Sequence, residues 1–158
     1  MSRLYPLKFH PVPREMIWGG DRLCGLYNKD FNRDIKIGES WEISSVENNI
    51  SVVSDGFLKG NELNELIEVY MGDLVGEKVF NRFGNSFPLL VKLIDATDDL
   101  SVQVHPDDDL AMRRHNASGK SEMWYVMHAD PGATLISGFN QEVSPALLKQ
   151  KLDEGNVV

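Results

Sequence analysis

The sequence holds a single cysteine, Cys24, so no internal disulfide can form, and that scarcity suits a reducing compartment. No apolar run approaches the roughly 18 residues of a membrane span. The opening stretch MSRLYPLKFHPVPRE lacks the apolar segment of a secretory signal. These absences predict a cytoplasmic protein with no membrane partner. Positive charge is also scarce. Sixteen Lys and Arg face 24 Asp and Glu, for a net charge of −8. A nucleic-acid partner would want a basic stripe, so none is expected. A small anionic ligand remains compatible, because a few lysines focused in a cleft override the global field. Phosphate loops, a G-x-G-x-x-G turn before a helix and a G-x-S-x-G nucleophile elbow are all missing. No motif surrounds Cys24, so buried packing is its expected role.

What is present describes a globular protein. At 158 residues, with 42% apolar and 25% charged residues, a single domain spanning 1–158 is the expectation. Residues 1–20 are punctuated by Pro6, Pro11 and Pro13 and end in IWGG, which reads as a turn. LYPLKF reads as an edge strand. GESWEISSV and NISVVSDG read as short strands, the first from its alternation of Trp41 and Ile43 with polar residues. Between about 61 and 82 the period changes. Leu63, Leu66, Ile67 and Tyr70 stand at helical spacing, and LVGEKVFNRFG predicts a second helix closed by Gly84. Strands are then expected in FPLLVKLIDA, a run apolar enough to be buried on both faces, and in LSVQVHP, SEMWYVMHA and ATLISGF. DDDLAMRRHNASG reads as a charged loop with one helical turn. VSPALLKQKLDEG predicts a helix with Ser144 as N-cap and Pro145 in its first turn. Short strands with Gly and Pro turns point to a mainly β sandwich or barrel carrying a helical insertion.

One strand poses a chemical question. In LSVQVHPDDD, Ser101, Gln103 and His105 fall on alternate positions and so share a face of an extended segment. Glu122 lies on the next expected strand. A His nitrogen, a Glu carboxylate and a Gln carbonyl oxygen form part of a shell for a cation such as Zn²⁺ and leave room for water. The same alternation also suits a plainly solvated face. His10, His115 and His128 have the surroundings of solvated residues. Lys92 stands inside the apolar LLVKLI, where a lysine either snorkels to an edge or serves a site. Lys120, two residues before Glu122, is either a solvated turn residue or an anion-holding cation beside the carboxylate.

FPLLVKLIDATDDLSVQVHPDDDLA followed by GKSEMWYV closely resembles the type I phosphomannose isomerases of the cupin superfamily, in particular the shorter bacterial forms. IWGG and GESWEIS match the same pattern, and the resemblance runs from about residue 6 to the end. It implies a cupin-type double-stranded β-helix, or jelly roll, incomplete at its C-terminus. It implies one zinc ion held by Gln103, His105, Glu122 and a second histidine in a later motif, so the chain is expected to be the N-terminal part of a longer protein. Ser101, Lys92 and Lys120 match positions associated with the substrate or its phosphate, and Trp18, Glu39 and Trp41 match residues near that cleft. The implied activity is the interconversion of mannose 6-phosphate and fructose 6-phosphate. No residue present is singled out as the general base, which is expected beyond residue 158 with a catalytic arginine. Two alternatives stand beside it: a non-catalytic sugar-phosphate-binding or regulatory cupin, and an inactive fragment of the isomerase. Oligomeric state is not legible.

Overall fold

The computed structural model describes residues 4–156 and divides into two compact units, Met1–Leu100 and Ser101–Val158. The first is built on a three-stranded antiparallel sheet, β1 (Val12–Gly20), β2 (Ile37–Ile43) and β3 (Val91–Ile94), in that spatial order. Arg14 pairs with Glu39, and Trp41 of β2 pairs with Val12 on one side and Lys92 on the other. IWGG, read above as a turn, instead finishes β1. The register between β1 and β2 slips after Arg14 and again before Gly20. At the slip the backbones close in: a Cβ on Gly19 would stand 2.5 Å from the Gly38 nitrogen. Glycine there marks close strand approach rather than chain reversal.

Four helices complete this unit among its described residues: α1 (Arg22–Gly25), α2 (Leu63–Tyr70), α3 (Gly72–Val75) and α4 (Glu77–Phe83). The helical spacing of Leu63, Leu66 and Ile67 buries all three. Leu66 joins Val53 and Leu58 in a core that Leu4, Leu7, Phe9 and Tyr70 pack against. Burying each large side chain of this kind contributes about 1.5–3 kcal/mol. The strands expected in LYPLKF and NISVVSDG reduce to isolated bridges, Phe9 with Val53 and Val52 with Glu62. FPLLVKLIDA is not buried on both faces. Only four of its residues form β3, with Ala96 in an isolated bridge to Gly19, and Leu89 and Val91 stay 59% and 42% exposed, because β3 is an edge strand among the described residues.

The second unit contains α5 (Asp108–His115) and α6 (Pro145–Asp153) and no strand among the described residues. The strands expected in LSVQVHP, SEMWYVMHA and ATLISGF are therefore corrected to extended or irregular chain. Alternation makes a strand only when a neighbour completes the hydrogen-bond ladder, and here Val104 and Tyr125 are 84% and 85% exposed. The charged segment after Pro106 forms a longer helix than its composition suggested. Asp107 Oδ1 accepts from the Leu110 N–H at 2.8 Å, and Arg113, Arg114 and His115 face the negative end of the helix. Ser144 caps α6 as expected, its Oγ accepting from the Leu147 N–H. No helix among the described residues is long and apolar enough to cross a membrane.

Candidate active site and metal ligands

In the second unit the chain returns to His105 through α5. The Asp108 carboxylate accepts from the Gly119 N–H at 2.8 Å, and the Lys120 N–H reaches the Pro106 carbonyl at 3.4 Å. A Cβ on Gly119 would stand 2.6 Å from the Asp108 nitrogen, so only glycine permits this approach. The turn sets Glu122 beside His105. Glu122 Oε2 lies 3.2 Å from His105 Nε2, and its Oε1 lies 3.0 Å from the Lys120 ammonium. Lys120 beside Glu122 holds its carboxyl below the usual carboxylate range; partial burial opposes this, and His105 adds a smaller downward push. Gln103 donates from its amide to Ser101 Oγ at 2.8 Å, which leaves the carbonyl end of Gln103 as the atom a cation would take.

Nε2 of His105 and Oε2 of Glu122 are spaced as two ligands of one metal ion would be. Two atoms bound to one tetrahedral zinc at about 2.0–2.1 Å stand about 3.4 Å apart. The His105–Glu122 separation of 3.2 Å is close to that span. No group of three His, Cys, Asp or Glu side chains converges among the described residues. The candidate set is instead two such residues plus a glutamine. His128 pairs with Asp130 at 3.2 Å, in an exposed position.

The first unit gathers Glu39, Trp41 and Lys92 on one face of its sheet. Glu39, only 7% exposed, receives the Lys92 ammonium on Oε1 at 2.8 Å and the Trp41 indole N–H on Oε2 at 2.7 Å. Lys92 thus neither snorkels free nor lies unpaired. The Arg14 guanidinium stacks over the Trp41 ring at 5.0 Å and donates to the Asn49 side chain. Trp18 is half-buried, and its carbonyl accepts from the Thr97 N–H at 2.9 Å. Sequence reasoning missed Gly119 and Asp108. The glycine inside GKSE was the available signal, since a glycine between a helix and a candidate ligand often marks a close approach.

Solved structures with a similar fold include the mannose 6-phosphate isomerase from Bacillus subtilis. The TM-score is 0.60 at 36% identity, over 72% of this chain and 35% of that one. A mutant phosphomannose isomerase from Salmonella typhimurium gives 0.58 at 26% identity, over 71% of this chain and 29% of that one. The sheet, its helical insertion and these likenesses define a protein of cupin-type fold. Among curated relatives, mannose-6-phosphate isomerase from Streptococcus mutans is 40% identical over 96% of this chain and 46% of its own length. Mannose-6-phosphate isomerase ManA from Bacillus subtilis is 38% identical over 94% and 47%. The family model for the phosphomannose isomerase type I catalytic domain matches residues 7–125, and the chain belongs to that family. It spans about half the length of these curated relatives.

Proposed function

We propose that the full-length protein interconverts mannose 6-phosphate and fructose 6-phosphate by moving a proton between C1 and C2, with zinc held by Gln103, His105 and Glu122. The observation that carries this reading is the Glu122 carboxylate, set between the His105 imidazole and the Lys120 ammonium at 3.2 and 3.0 Å, within a family-matched segment. Bound zinc would supply a Lewis acid that polarises the sugar carbonyl. Ser101, Lys92 and Lys120 are each proposed as substrate-binding residues, since holding a sugar phosphate orients its reacting carbons. Placing the proton donor and acceptor is the remaining task; the general base, the second histidine ligand and the arginine belong, in this proposal, beyond Val158. The single-domain reading of 1–158 draws support from the family match, which runs across the boundary between the two units. A cytoplasmic location and a sugar phosphate as the small-molecule partner, without nucleic acid or membrane, complete the proposal.

A coupled assay for fructose 6-phosphate formation on the full-length protein tests it. Activity lost on chelation and restored by zinc is expected. Tight mannose 6-phosphate binding without turnover would instead favour the non-catalytic cupin. For residues 1–158 alone, coverage of about half of its relatives favours the inactive fragment.

A further inference from the structure

Lys92 has four flexible carbons between its backbone and its charge, so its position must come from what holds it. The described residues give its ammonium one partner, Glu39, across the β2–β3 pair. Glu39 in turn is fixed at both oxygens, by Lys92 on one and the Trp41 indole on the other. Trp41 is the direct cross-strand neighbour of Lys92, and Arg14 stacks on its ring from the β1 side. The result is a row across three strands in which a nearly buried carboxylate, bonded at both oxygens, sets the height and direction of a cation. An ammonium has three donors, and Glu39 occupies one. The other two remain for an external acceptor.

The geometry points to Glu39 as a positioning residue for Lys92. It holds the ammonium at one point on the sheet face so that its remaining donors meet the anionic end of a sugar phosphate. This deepens the isomerase proposal and rests on it for the identity of the substrate. Glu39 acts through Lys92 and does not touch substrate. The Trp41 N–H sets the carboxylate plane. Glu39→Gln keeps the shape of the side chain and removes its charge, so it releases Lys92 with the least disturbance to packing.

Two readouts on the full-length zinc enzyme separate this role from a structural one. The first is the rate at which an amine-reactive acylating reagent labels Lys92, read by peptide mass spectrometry with Lys59 as internal reference. In Glu39→Gln this rate is expected to rise about tenfold, because a lysine side chain no longer held in an ion pair is more accessible to the reagent. The second is the split of steady-state constants. KM for mannose 6-phosphate is expected to rise about tenfold with kcat within about twofold, the signature of lost uniform binding. Trp41→Phe, which keeps an aromatic side chain and the Lys92–Glu39 ion pair but removes the N–H to Glu39, is expected to shift KM in the same direction by less. Unchanged Lys92 labelling in a folded Glu39→Gln enzyme, or faster labelling with unchanged KM, overturns the positioning role. Should Glu39→Gln fail to fold, an unaltered KM in Trp41→Phe overturns it. A wild-type protein without isomerase activity overturns the substrate reading instead, and so is distinguishable from either.

Discussion

Glu122 shows how one residue is tuned by its neighbours. Its carboxyl is held below the usual range chiefly by Lys120, so its folded pKa is depressed. A depressed carboxylate contributes stability that is present above its unfolded pKa and fades as pH falls through the folded value. Replacing Lys120 with Met is therefore expected to move the Glu122 pKa upward, toward the ordinary carboxylate value. An NMR titration of its side-chain carbon reads that shift, and an unmoved midpoint would show that Lys120 is not the cause. Lys92 presents the opposite case, a cation whose loss strands a nearly buried partner. Lys92→Met is expected to cost about 3 kcal/mol in urea unfolding, because Glu39 keeps its charge and loses its counter-ion. A cost under about 1 kcal/mol would mean that solvent compensates the carboxylate fully.

Elements differ in how plainly their residues announce them. β2 and α2 are legible because local pattern and tertiary burial agree: Trp41 and Ile43 alternate, and Leu63, Leu66 and Ile67 recur at helical spacing against Val53 and Leu58. α2 also has a local signal at its start, where the Glu65 side chain accepts from the Glu62 N–H at 3.0 Å. Glu65→Ala is expected to cost about 1 kcal/mol, read by thermal or urea unfolding, and no loss would show that water replaces the bond without penalty. Other elements depend on partners that lie far off in sequence. Gly19 and Gly20 read as a turn until Gly38 and Asp95 are seen packed against them. The alternating segments at 100–106 and 121–129 have strand composition but no ladder among the described residues. α5 was underestimated because its charges hide a helix that the Asp107 cap and a single buried residue, Ala111, hold in place. The candidate site divides in the same way. Gln103, His105 and Glu122 are legible from their motif, whereas the Glu39–Lys92–Trp41 row and the Gly119 approach depend on which strands and turns meet.

For the whole molecule, the central proposal is that His105 and Glu122, paired within the family-matched segment, are metal ligands. The net charge of −8 favours cations in general, so weak surface binding is a poor guide and stoichiometric retention is the useful quantity. The most direct measurement is the zinc content per chain of the full-length protein after exhaustive dialysis, wild type against His105→Ala, by elemental analysis. The expected result is about one zinc in the wild type and under about a tenth of that in the variant. Equal zinc in both would contradict the assignment of His105 and Glu122 as ligands.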